Sequence, residues 1–108
     1  MLAKRQIIAD EGPIAVLLAL DGDRTGAQRM IEQMMADADG TSALWQGRAL
    51  NWRGQVYQSE KNYRAAVESY EKAIAIWASD TLVKNTPLYE VERRETDARL
   101  TECRRLLQ

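Results

Sequence analysis

Residues between Asp21 and Glu32 have the types and spacing to hold a divalent cation. The stretch reads DGDRTGAQRMIE, with Asp21 and Asp23 at its first and third places, Thr25 at the fifth, Gly26 at the sixth and Glu32 at the twelfth. Calcium takes oxygen ligands at this spacing, with a glycine making the sharp turn and the last carboxylate closing the shell. Two residues oppose the reading. Gln28 stands where such a loop carries an apolar residue, and Arg29 places a cation beside the metal. No second loop of the kind follows. The competing reading makes Gly22-Asp23 a turn between two helices and puts Ala27–Glu32 in the second of them.

A second cluster suits binding rather than catalysis. Trp45, Arg48 and Trp52 recur at steps of three and four, which brings them to nearly one side of a helix. Tryptophan and arginine dominate binding hot spots, because a large ring with a polar edge gains much on desolvation. An arginine between two indoles can also stack on them. Against this, both indoles could pack on the preceding helices, and Trp77 continues an apolar stripe that marks it as core. Met30, Met34 and Met35 form an adaptable apolar patch of a kind used both on partner surfaces and to fill gaps in cores. Cys103 lies beside Arg104 and Arg105, whose charge would favour a thiolate, although a plain half-buried cysteine is the simpler reading.

The remaining composition removes whole classes of function. The chain has no histidine, so it lacks the commonest general base and the commonest transition-metal ligand. Its carboxylates fall on charged faces and in turns, and no phosphate-cradling loop or nucleophile elbow is present. No enzyme activity, no cofactor and no metal are expected. Fifteen basic residues face sixteen acidic ones, so no basic excess exists to neutralise a nucleic-acid backbone. The longest apolar run, Ile14–Leu20, is too short to span a bilayer. One unpaired cysteine suits a reducing compartment, and the chain reads as cytoplasmic.

The elements that must position these residues are helical. No stretch alternates apolar and polar residues over a strand's length. Five helices are predicted, over 2–20, 24–38, 42–59, 62–78 and 87–107. In the first, Pro13 suits the opening turn of a helix that starts after Gly12, with residues 1–10 as a separate or kinked turn. Thr41 or Ser42 can cap the third. The fourth carries the clearest stripe, Tyr63, Ala66, Val67, Tyr70, Ala73, Ile74 and Trp77. Residues 79–85 read as a loop, and Thr86-Pro87 opens the last helix. That helix pairs Glu90 with Arg94 and Glu95 with Arg99, and offers Leu88, Val91, Ala98, Cys103 and Leu107 as its apolar side.

Gly54, Tyr57, Tyr63, Ala66, Tyr70 and Ala73 follow one another at steps of 3, 6, 3, 4 and 3. Small residues stand where two helices must approach, and aromatic residues fill the gap beside them. This hairpin resembles a tetratricopeptide repeat (TPR), a motif of about 34 residues. Leu50 holds the family's early large apolar position. Arg53 departs from the usual leucine, and Ala78 from the common proline. The preceding hairpin resembles a degenerate copy, with Ala27, Ile31 and Met34 at the steps of Ala66, Tyr70 and Ala73; Ala27 and Ala66 are 39 residues apart.

The resemblance implies an all-α, TPR-like superhelix of two helical hairpins (8–40 and 41–78) with a C-terminal capping helix (86–108). It implies a protein–protein interaction module, an adaptor, co-chaperone or assembly subunit, holding a peptide or helix in a concave groove. The family's groove positions fall on Arg48, Asn51, Trp52, Gln55, Gln58 and Ser59 of the second hairpin and on Val16, Ala19 and Leu20 of the first. Only Arg48 and Asn51 could clamp a peptide's terminal carboxylate. Two alternatives stand beside this expectation. Two repeats are few for a stable array, so the chain could self-associate as a structural subunit, its groove filled by its own N-terminal segment. The other is calcium binding through the EF-hand-like loop at 21–32.

Overall fold

In the computed structural model, the described residues are 2–108, with side chains described from Gln6 onward except that of Leu88. Six helices follow one another: α1 Leu2–Leu20, α2 Arg24–Ala38, α3 Ala43–Ser59, α4 Tyr63–Ala78, α5 Thr81–Lys84 and α6 Pro87–Leu106. No strand occurs among the described residues. α1 packs on α2 and α3 on α4, giving two hairpins; α1 and α2 also contact α3, and α6 lies on α4.

Local chemistry sets the helix boundaries. Gly22 turns the chain in the left-handed region (φ +85°), which a residue without Cβ tolerates. The Asp23 carboxylate then accepts from the Gly26 N–H at 2.8 Å and caps α2. Residues 24–38 are therefore continuous helix, with Ala27, Ile31, Met34 and Ala38 buried along one face. This overturns the calcium reading. Thr25 and Gly26 lie in the first turn of a helix, Glu32 lies two turns further along, and Asp23 is committed to its cap. No group of three or more acidic, histidine or cysteine side chains among the described residues is arranged to hold a metal ion.

Three further expectations need correction. α1 runs unbroken from Leu2 to Leu20 with Pro13 inside it. Burial of Ile8, Ala15 and Ala19 on either side of the proline holds the two halves in one helix. Among the described side chains, residues 6–20 thus form a wall of the structure. α3 has no side-chain cap: the Thr41 hydroxyl turns back to donate to the Ala38 carbonyl at 2.6 Å, and Ser42 caps nothing. Residues 79–85 are not irregular, because the Asp80 carboxylate accepts from the N–H groups of Leu82 and Val83 and starts the short helix α5. α5 buries Val83 against Trp77 and Tyr89.

α4 buries its expected stripe, Ala66, Tyr70, Ala73 and Trp77, against α3 and α6. Two glycines of α3 permit the approach. A Cβ on Gly47 would run into the Trp77 indole, and one on Gly54 into the Tyr70 ring. The arginine that departs from the repeat pattern is accommodated as well: Arg53 Nε donates to Ser69 Oγ at 3.0 Å, so a polar α3–α4 contact replaces an apolar one. Met34 is fully buried, with Met30 and Met35 packed beside the core.

α6 presents a different face from the expected one. Tyr89, Thr96, Leu100 and Cys103 are buried, whereas Val91, Ala98 and Leu107 are exposed; Leu88 lies outside the described side chains. The chosen face is partly polar. The Thr96 hydroxyl is shared between the Glu92 carbonyl at 2.8 Å and Asn51 Oδ1 on α3 at 3.1 Å. Glu90 pairs with Arg94 as expected, but Glu95 forms no ion pair with Arg99. Arg93–Asp97 is formed instead.

Candidate functional site

α1, α3 and α6 line one groove. It holds two adjoining cavities that share Gln55 and Arg99. The first, of about 310 Å³, is bounded by Ala9 of α1, by Trp45, Arg48, Asn51, Trp52 and Gln55 of α3, and by Glu92, Glu95 and Arg99 of α6. The second, of about 240 Å³, is bounded by Val16 of α1, by Gln55, Gln58 and Ser59 of α3, and by Arg99 of α6. A wider depression of about 560 Å³ lies elsewhere, between the start of α2 and the end of α3. Its walls are mostly charged and amide side chains, among them Arg24, Gln28, Arg29, Glu32 and Glu60, and none of the groove positions reaches it.

The helical repeat explains why these side chains gather. Arg48, Trp52, Gln55 and Ser59 rise at steps of four, three and four, so one strip of α3 faces the groove while Ala49, Leu50 and Val56 go to the core. Of the residues expected to bind a partner, Val16, Arg48, Asn51, Trp52, Gln55 and Gln58 lie on the groove wall. Ala19 does not. It is 6% exposed and packs with Ala15, Ala27, Ile31 and Val56, a small side chain that lets α1 and α2 approach. Leu20 is exposed at the end of α1 and lines neither cavity.

Several wall residues already have partners within the chain. Arg48 grips Glu92 with two parallel contacts, Nε to Oε1 at 2.7 Å and Nη2 to Oε2 at 3.1 Å. Such a fork is stronger and more directional than a single neutral hydrogen bond. The same guanidinium lies 4.8 Å from the Trp45 ring centroid, so the indole face stabilises its charge. Arg48 therefore pins α6 to α3. Asn51 does likewise through Thr96. Gln58 Oε1 accepts from the Tyr70 hydroxyl at 2.7 Å, which satisfies a buried phenol of α4. Burial holds that phenol well above its usual titration range. Trp52 packs over Gly12, where a Cβ would collide with the indole, and stays half-buried.

The groove's acidic and basic rim on α6 was not legible as such. Glu95 and Arg99 read as an i, i+4 pair along the helix surface, and nothing in the pattern singles out Glu92. Reactivity of Cys103 is not supported by its surroundings. The thiol is fully buried, and burial raises its pKa above the ordinary value. The flanking cations are engaged elsewhere, Arg104 with Glu71 and Arg105 with Glu102.

Residues 47–80, comprising most of α3 and all of α4, match the family model of the tetratricopeptide repeat. The match covers about a third of the chain, and the fold around that segment is likewise helical among the described residues. No curated protein matches the chain, and no solved structure does. The repeat is in general a non-enzymatic scaffold for contacts between proteins. No helix among the described residues is long and apolar enough to cross a membrane.

Proposed function

We propose that the chain is an interaction module that holds a peptide or helix of another protein in the α1–α3–α6 groove, as an adaptor, co-chaperone or assembly subunit of the cytoplasm. The observation that carries this reading is the convergence of Val16, Trp52, Gln55 and Arg99 on one pair of adjoining cavities. A half-buried indole beside amide and guanidinium groups supplies the apolar anchor and the directional contacts that such sites use. The hairpin 8–40 serves as a degenerate first repeat in this account, contributing Ala9 and Val16 to one wall. Because Arg48 and Asn51 hold α6, they shape the groove, and a terminal-carboxylate clamp built on them is not part of the proposal.

Gln55 belongs to both cavities, and its side chain has no hydrogen bond to another described residue, so it is the position to block. Gln55→Trp would fill the junction without cutting the α3–α6 contacts. Affinity capture from native lysate should retain a partner on the wild-type chain and lose at least about tenfold of it on Gln55→Trp, the loss of about 1.4 kcal/mol. Equal retention by a folded Gln55→Trp protein would place binding outside the groove.

A second reading rests on a separate observation. Ile7, Ile14 and Leu17 follow at steps of seven and three on α1 and are 41%, 44% and 65% exposed. Such a stripe on a terminal hairpin favours pairing with a second copy. Light scattering would then show mass rising with concentration, and Leu17→Glu would hold the monomer. A constant monomer mass for the wild type at high concentration removes this reading.

A further inference from the structure

Arg99 stands at the junction of the two cavities, and no ion pair neutralises its charge among the described residues. Glu95 lies one helical turn away on the same rim and does not pair with it. Among the described residues Arg99 Nη1 is closed off from solvent without a hydrogen-bond partner, while the residue as a whole stays partly exposed, so a groove ligand would meet the rest of the guanidinium. A guanidinium nitrogen in that state costs free energy, and a native fold seldom leaves one without a reason. The neighbouring cation offers a contrast. Arg48 is matched by Glu92 and covered by Trp45, so the charges of that pair cancel. Among the described residues the groove is left with one unmatched positive charge at its centre and one exposed acid, Glu95, at its edge.

We propose that the segment held in this groove carries an aspartate or glutamate side chain, seated with its carboxylate on Arg99. The inference rests on the groove reading given above and specifies its chemistry. Gln55 lies beside Arg99 in both cavities and can donate its amide N–H to the same carboxylate. Trp52 covers the neighbouring apolar part of the segment. Glu95 sets a limit, since a second acid close to the first would meet like charge. The predicted ligand therefore has one acidic residue beside apolar ones, and an uninterrupted acidic run binds less well.

The test is an array of dodecapeptides of randomised sequence, in which each Asp- or Glu-containing peptide is printed beside its Asn or Gln counterpart. It is probed with wild type, Arg99→Gln, Arg99→Lys, Glu95→Gln and Gln55→Trp, each checked for folding by near-UV circular dichroism. Wild type should favour the acidic member of a bound pair by about tenfold, in line with a charge-assisted contact. Arg99→Gln should erase the preference, Arg99→Lys should keep part of it, and Glu95→Gln should strengthen it. Arg99→Lys and Glu95→Gln carry the test should Arg99→Gln fail to fold. Equal binding of acidic and amide peptides by wild type, or a preference that survives Arg99→Gln, would overturn the inference and leave the groove reading standing. If no peptide binds, or if Gln55→Trp binds as wild type does, the groove reading fails and the inference with it.

Discussion

Replacing Trp77 with alanine is expected to remove about 3–5 kcal/mol of folding stability, the range for deleting a fully buried indole. Trp77 of α4 has no exposed surface and touches α3, α5 and α6. Its ring fills the space left by Gly47 of α3, meets the Tyr89 ring of α6 edge-on at 6.1 Å, and packs on Val83 of α5. Its Nε1–H donates to the Leu44 carbonyl at 3.1 Å. Truncation thus opens a cavity where α5 and α6 join the second hairpin, and it removes the hydrogen bond to the Leu44 carbonyl. Urea unfolding followed by far-UV circular dichroism measures the loss. Trp77→Phe keeps an aromatic ring in place while removing the donor and part of the indole, so it should cost less than the full truncation, about 1–3 kcal/mol. A loss below about 1 kcal/mol for Trp77→Ala would mean that α5 and α6 are not secured by this side chain.

The second large effect is a dependence on pH of unusual sign. Glu11 of α1 is only 8% exposed, its Oε1 has no partner, and Asp37 of α2 lies beside it. Burial first, and then the neighbouring Asp37 carboxyl, push the Glu11 pKa from 4.5 up to about 7. Between those values the folded chain binds a proton that the unfolded chain does not. Stability from this group is therefore fully present below pH 4.5 and is lost as pH rises through about 7. At roughly 1.4 kcal/mol per pKa unit, the loss is at most about 3 kcal/mol. The melting temperature of the wild type should fall between pH 5.5 and pH 8, whereas Glu11→Gln, which keeps the shape and cannot ionise, should exceed wild type at pH 8 and match it near pH 5. Parallel melting curves for the two proteins across that range would show that Glu11 is ionised in the folded state and solvated.

Where the sequence was readable, apolar burial at helical spacing wrote the signal. The α4 stripe is of this type, because Ala66, Tyr70, Ala73 and Trp77 are apolar, evenly spaced and all buried. The Gly54–Tyr70 pairing belongs with it, since a small residue opposite a large ring is what a close helix crossing requires. α6 was misread in rotation because its contact with α3 runs through Thr96, Glu92 and Asn51, and a hydrophobic pattern cannot register an interface built from polar groups. The same cause hid the α6 side of the groove. Arg99 has a glutamate four residues before it, and only the fold shows that the two do not pair. The calcium spacing failed for another reason. Asp, Thr and Gly before a helix serve equally as a turn and an N-cap, and Asp23 is used in that way. Ala19 was misplaced because a small residue on α1 is compatible with either face until its neighbours are known.

The groove is tested most directly by the indole N–H signals of a ¹⁵N-labelled chain, recorded while the tightest peptide from the array is added. Trp45 and Trp52 line the groove, while Trp77 is sealed in the core. The account predicts that the Trp52 signal, and to a smaller extent that of Trp45, moves with peptide concentration and that the Trp77 signal stays in place. A peptide that binds while Trp45 and Trp52 remain unmoved, with shifts confined to the outer face of α1 or to α2, would contradict it.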